Sequence, residues 1–259
     1  MNTLGSMSAR RSACLLLLAV LAACSPHASG TQQGIEQAPP STRGASPVSV
    51  GPTRSPTPAP LRDRFVGTIS RLPPELARQM RGTTWHPGCP VPLSALRMLT
   101  LRYWGFDHQV HEGRMVVNAR AAQDIESVFR KIFAARFPIK QMHLAVQYKP
   151  SNDDPNDKRD YTVGFNCRPT VTAYGPGTSW SNHAYGLAVD INPIENPYVT
   201  ASGYVHNNNA RPYRNRSLNR PGMIQHGDVV VRAFDAIGWH WAGSWSHDKD
   251  YMHFSWNGR

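Results

Sequence analysis

The chain has 259 residues, 40% of them hydrophobic, with 28 Lys and Arg against 17 Asp and Glu and a formal charge of +11. Seven Trp, nine Tyr and eight Phe supply enough apolar bulk for a core, which excludes a wholly disordered or collagen-like chain. The length suits one globular domain with additions, and no internal repeat is visible.

Taken in chain order, Arg10 and Arg11 precede the apolar run Ala13–Ala23, the order of an export signal. That run is too short for an ordinary membrane-spanning helix, which excludes a polytopic membrane protein. The segment closes with Leu21-Ala22-Ala23-Cys24, which resembles the lipobox of bacterial lipoproteins. Residues 1–23 are therefore expected to be removed and Cys24 to carry lipid at the surface of a cell envelope. Loss of Arg10 and Arg11 with the leader lowers the charge from +11 to +9. A basic exported protein is suited to anionic wall polymers, lipid head groups and acidic peptides rather than to nucleic acid. From Ser25 to Pro60 the chain carries eight of its 22 prolines and no aromatic residue, so residues 24–60 read as a lipidated Cys and a disordered tether. Its 36 residues reach roughly 30 Å if flexible. The folded unit is expected to occupy residues 61–259.

Within that unit Met115-Val116-Val117 reads as a short strand, and Asn118 as the cap of a helix presenting Ile125, Val128, Phe129, Ile132 and Phe133 at helical spacing. Phe137-Pro138 ends it. Strands are expected at His143–Tyr148 and Leu187–Ile191, and a helix over Val229–Ile237. Short strands mixed with helices and long irregular loops point to an α+β domain rather than a doubly wound sheet. With Cys14 in the leader and Cys24 lipidated, Cys89 and Cys167 remain as a pair in an oxidising compartment and are expected to be disulfide-bonded. The alternative is a nucleophilic Cys or a zinc thiolate, although neither Cys has a CxxC neighbour.

The most informative stretch is Trp180-Ser181-Asn182-His183-Ala184-Tyr185-Gly186-Leu187-Ala188-Val189-Asp190. Its His and carboxylate suit zinc. The odd spacing places His183 in a loop and Asp190 on the next strand, with Gly186 turning the chain, Leu187, Val189 and Ile191 facing the core, and Ala188 and Asp190 flooring a groove. Near the other end, Asp250 and His253 supply a second acid and imidazole, which converge if Asp250 lies in a turn before the strand of His253. Three ligands from two segments leave a fourth position open, as in catalytic rather than structural zinc sites.

These segments resemble the zinc D-alanyl-D-alanine carboxypeptidase family, which also contains L-alanyl-D-glutamate endopeptidases. Ser181, His183, Gly186, Ala188 and Asp190 match every fixed position of its Ser-x-His-x-x-Gly-x-Ala-x-Asp signature. Asp250 and His253 match its acid-x-x-His element, and Phe165-Asn166-Cys167-Arg168 stands where relatives carry a substrate-binding arginine. The likeness spans Cys89 to Phe254. Pro138-Ile139 and Asp190-Ile191-Asn192-Pro193 are in the style of the endopeptidase-like branch, as is Asp250, because the best-known carboxypeptidases have Glu there.

The resemblance implies a small antiparallel sheet with flanking helices and a zinc site in an open groove, the hedgehog and D-Ala-D-Ala peptidase-like fold. By it, His183, Asp190 and His253 bind zinc, and Asp250 takes a proton from the attacking water and delivers it to the leaving amine. Arg168 steadies the oxyanion or a substrate carboxylate, and Ser181 is a further substrate contact. A Cys89–Cys167 bridge would fix the backbone beside Arg168. His247 is a candidate helper of the transition state or a loop decoration. The implied substrate is the peptidoglycan stem peptide, with zinc as cofactor, no nucleic-acid partner and a monomeric state. The rival class is an inactive zinc-containing wall-binding module. His240, like His247, is a closer contender for function, whereas His86, His108, His111, His143, His206 and His226 read as surface or core residues, and Trp239, Trp241, Trp245 and Trp256 as core and groove wall.

Overall fold

A computed structural model describes residues 63–147, 155–172 and 175–259. The export signal, the lipidation at Cys24 and the tether of residues 24–60 lie outside the described residues. No helix among the described residues is long and apolar enough to cross a membrane.

Strict alternation along one hairpin builds the platform of the fold. β1 (Gly67–Arg71) precedes helix α1 (Pro74–Met80), and then β2 (Leu96–Trp104) and β3 (Val110–Asn118) pair antiparallel in the order β1-β2-β3. Successive side chains leave a strand on opposite faces. Leu99, Leu101, Met115 and Val117 therefore enter one core cluster, while Leu96 and Val116 enter a second with Leu76, Met80, Phe165 and Cys167. Both faces of the sheet are covered, and the expected strand at Met115–Val117 extends to nine residues.

Helix α2 (Ala122–Ala134) lays Ile125, Val128, Phe129 and Ile132 on the first face, each at most 1% exposed. Burial of one such side chain contributes about 1.5–3 kcal/mol. Asn118 is not its cap: Ala121 holds that position without a side-chain hydrogen bond. The Asn118 amide is engaged elsewhere, its Oδ1 accepting from the Arg120 N–H at 3.1 Å and its Nδ2 donating to the Tyr185 carbonyl at 2.9 Å. The expected strand at His143–Tyr148 is also corrected. β4 (Gln141–Met142) pairs in parallel with β5 (Tyr161–Thr162) for two residues only, and a 3-10 turn follows over Ala145–Gln147. The chain coils there so that Leu144 can enter the second core cluster. Tyr148 lies outside the described residues.

A hairpin of β6 (Pro169–Thr172) and β7 (Gly175–Trp180) leads into β8 (Ala188–Asp190), and β9 (Tyr198–Val199) follows. Helix α3 (Val229–Asp235) starts where Asp228 Oδ1 accepts from Val230 N and Val231 N at 2.9 and 3.0 Å, satisfying two of the free N–H groups of its first turn. β10 (His240–Trp241), β11 (Lys249–Asp250) and β12 (His253–Ser255) complete the chain. β11 pairs with β9, and a second antiparallel sheet has the order β10-β12-β8. Phe234 of α3 stacks on Phe254 of β12 at 4.1 Å, which fastens this sheet to the first core cluster. The class is α+β, assembled from several small sheets and three α-helices among the described residues.

Candidate metal centre

The motif folds as its glycine dictates. Ser181 Oγ accepts from the His183 N–H at 3.3 Å and opens a single 3-10 turn over Asn182–Tyr185, which Gly186 closes at φ 67°. A Cβ at Gly186 would stand 2.6 Å from the Asn118 nitrogen, so only glycine fits. The Gly186 carbonyl receives the Asn118 N–H at 2.9 Å, tying the turn to the end of β3. His183 is thereby carried to the edge of β8, and the ladder β8/β12 sets Asp190 directly across from His253.

The three side chains meet closely. His183 Nε2 lies 3.1 Å from Asp190 Oδ2, His253 Nδ1 lies 3.0 Å from Asp190 Oδ1, and the two imidazole nitrogens are 3.2 Å apart. The side chains of His183, Asp190 and His253 are 3%, 13% and 9% exposed. The outer nitrogen of each ring is engaged by a carbonyl, Gly164 O at 2.6 Å from His183 Nδ1 and Arg259 O at 3.1 Å from His253 Nε2. A main-chain oxygen can only accept, so each outer nitrogen donates its proton there, and a ring left neutral by a bound cation presents its inner nitrogen as a lone pair. Two lone pairs and a carboxylate then converge in a buried space, an electron-rich set that fits a divalent cation. The ligand atoms lie within 4.8 Å of one another.

The electrostatics agree with this pairing. Burial alone would raise the Asp190 carboxyl, but attraction and hydrogen bonds from His183, then His253, hold it well below the usual carboxylate range. Burial pulls His253 down, yet its hydrogen bond to Asp190 and the attraction of Asp190 and Asp250 leave it raised. Asp250 ends β11 rather than lying in a turn; the turn is Tyr251-Met252, between it and His253. Burial pushes Asp250 up to about 7, the charge of His253 pulls it down, Asp190 repels it and Arg168 attracts it. Asp250 Oδ1 is buried with no hydrogen-bond partner among the described residues.

Arg168 thus acts electrostatically on Asp250. It follows Cys167, whose disulfide to Cys89 is formed, and its carbonyl accepts from the Ser181 N–H at 3.1 Å. The bridge disposes of the thiolate alternative, and of His86, Cys89 and Cys167 as a metal set despite their proximity. Ser181 is 6% exposed with its Oγ accepting from the backbone of His183. Ala188 is fully buried rather than part of a groove floor, because the chain after β12 folds over that end of the ladder, Trp256 N donating to the Leu187 carbonyl at 3.2 Å. His247 and His240 are exposed. Trp239 and Trp241 are buried core, whereas Trp256 is 46% exposed.

The sequence reading missed three residues that hold this region together. Fully buried Asn192, at φ 47°, accepts from Lys140 N and donates to the carbonyls of Pro138 and Gly222. Arg216 donates to the carbonyls of Glu195, Tyr213 and Ile224 and to Asn196 Oδ1, with its guanidinium 4.3 Å over the ring of Tyr251. Asn182 joins the turn to residues 256–259. Asn192 was visible only within the Asp190-Ile191-Asn192-Pro193 likeness, and nothing in the spacing marked Arg216.

The buried His183-Asp190-His253 cluster, with the Asp250 carboxylate acting on it electrostatically, is a set of groups that fits a divalent metal. Residues 175–256, which contain all four of these side chains, match the family model described as D-alanyl-D-alanine carboxypeptidase. The match covers the segment on which the motif resemblance rests, and it is a similarity of that segment to the family. No curated protein and no solved structure matches the chain.

Proposed function

We propose that the protein is a zinc peptidase that hydrolyses peptide bonds in peptidoglycan stem peptides, as a D-alanyl-D-alanine carboxypeptidase or an L-alanyl-D-glutamate endopeptidase. In this reading it is exported and held at the envelope by lipid on Cys24. The observation that carries it is the convergence of His183 Nε2, His253 Nδ1 and the Asp190 carboxylate beside the orphaned Oδ1 of Asp250, within the segment that matches the family.

His183, Asp190 and His253 hold zinc in this reading, with the Gly164 and Arg259 carbonyls fixing the two rings. Zinc bound there supplies Lewis acidity, polarising the scissile carbonyl and making water nucleophilic near neutral pH. Asp250, buried and raised to about 7, accepts the proton of the attacking water and returns it to the departing amine. Arg168 pairs with a substrate carboxylate or the developing oxyanion, on a backbone pinned by the disulfide to Cys89. The excess of basic residues favours approach to an acidic, anionic wall.

The test is mass spectrometry of the products released when the chain with zinc meets purified peptidoglycan, beside a chelator-treated control. Release of D-alanine identifies a carboxypeptidase, and new D-glutamate N-termini identify an endopeptidase. Zinc-dependent binding with no product, across several wall chemotypes, would replace this reading with a wall-binding module.

A further inference from the structure

The segment after β12 does not leave the site. It turns back, and its hydrogen bonds end on the outer side of His253. The main-chain oxygen of Arg259 accepts from three donors: His253 Nε2 at 3.1 Å, Ser255 Oγ at 2.8 Å, and Asn182 Nδ2. Asn182 Nδ2 also donates to Asn257 Oδ1 at 2.7 Å, while its Oδ1 accepts from Trp256 Nε1 at 3.2 Å. Trp245 Nε1 donates to the Gly258 carbonyl at 2.8 Å, and the Arg120 guanidinium covers the Trp256 ring at 5.2 Å. Asn182 is the residue immediately before the other histidine of the cluster, so one amide side chain connects the His183 turn to the support of His253.

We propose that residues 256–259, latched by Asn182, are a built-in part of the metal centre: the Arg259 main-chain oxygen accepts from His253 Nε2 and holds the ring so that Nδ1 faces Asp190 in the position from which it would ligate. This rests on the reading that His183, Asp190 and His253 bind zinc. The physical reason is geometric. His253 has two ring nitrogens, and with no acceptor fixed at Nε2 the ring loses the contact that sets its orientation, so that Nδ1, 3.0 Å from Asp190 Oδ1, is no longer held in its ligating position. The Gly164 carbonyl performs the same service for His183 from the backbone of the fold itself. For His253 the service comes from the segment beyond the strand, held by side chains rather than by sheet pairing. Asn182 and the Arg259 oxygen are thus positioning groups that act through His253.

The experiment compares zinc affinity, by competition with a chromophoric chelator, in the full chain, a chain ending at Trp256, Asn182→Ala and Arg259→Ala. Arg259→Ala keeps the main-chain oxygen and should bind zinc as the unaltered chain does. The shortened chain and Asn182→Ala should bind on the order of 10- to 100-fold more weakly, the usual cost of losing an outer partner of a ligand histidine. Thermal unfolding of the zinc-free proteins monitors the fold, and if the shortened chain does not fold, Asn182→Ala decides. Affinities within twofold of one another would overturn the proposal. His183→Ala separates the two layers: it should abolish zinc binding, and if it does not, the metal reading itself fails and takes this proposal with it.

Discussion

Glu195→Gln should make the protein more stable, and increasingly so as the pH rises. Glu195 and Asp160 are 5% and 2% exposed, and both carboxyls keep an oxygen without a partner among the described residues. Burial, then the hydrogen bond and repulsion from Asp160, push Glu195 up to about 9, and burial raises Asp160 as well. Between the unfolded value of 4.5 and about 9, the folded chain keeps a proton that the unfolded chain has released. Native protein therefore binds more protons than unfolded protein in this window, and stability falls as pH rises through it. One pKa unit is worth about 1.4 kcal/mol, so the 2.5 units between 4.5 and pH 7 correspond to roughly 3 kcal/mol, which screening by solvent and Lys140 reduces to about 2 kcal/mol. The glutamine of the variant would be neutral throughout. Urea unfolding followed by Trp fluorescence at pH 5, 7 and 9 should give a variant-minus-parent difference near zero at pH 5, about 2 kcal/mol at pH 7 and more at pH 9. A difference that stays flat across the three values would refute the shared-proton argument.

Asp250→Asn should lower kcat by about 10²–10⁴-fold on a stem-peptide substrate while zinc content, measured by metal analysis, stays unchanged. Cys167→Ser should cost about 4 kcal/mol of unfolding free energy, the loop-entropy value for a bridge of 78-residue separation. It should also raise KM through Arg168, and kinetics with and without reductant would show whether the two effects travel together. Gly186→Ala forces a side chain into a left-handed turn against the Asn118 nitrogen, so chemical denaturation should show a loss of at least 1–3 kcal/mol and chelator competition a weaker zinc site.

The parts of the site that side chains announce were legible in the sequence. His183, Asp190, Asp250 and His253 carry their chemistry in their identities, and the glycine between the first two told how the chain must turn. The Cys89–Cys167 bridge followed from compartment and elimination. What stayed hidden has two physical sources. The outer partners of the two histidines are the carbonyls of Gly164 and Arg259, and a backbone carbonyl leaves no mark on residue type. β2 was missed because its Leu99, Leu101 and Tyr103 alternate with Thr100 and Arg102 over a face that is itself half covered, which blurs the polar side of the pattern. The Asn118 cap failed for a related reason: its side chain meets local helix preference at Arg120 but is claimed by Tyr185, 67 residues away, a partner no local rule can see. At His143–Tyr148 the apolar alternation was real, but β4 has only a two-residue partner, and a strand without a ladder coils instead.

The pairing of His253 with Asp190 across the β8/β12 ladder separates precision from variability. The two residues lie 63 positions apart in the chain, yet their distance depends on one hydrogen-bonded register, and that register is chosen by Val189 and Phe254, both fully buried. A slip of one residue would turn Phe254 outward and drive a histidine into the core. The intervening excursion supports the ladder at a few points, Arg216 over the Tyr251 ring and Phe234 of α3 against Phe254. A change of length at the exposed turn around Ser202, away from those supports, can therefore vary the surface as an interchangeable jaw varies on a fixed hinge pin, without altering the spacing of the ligands.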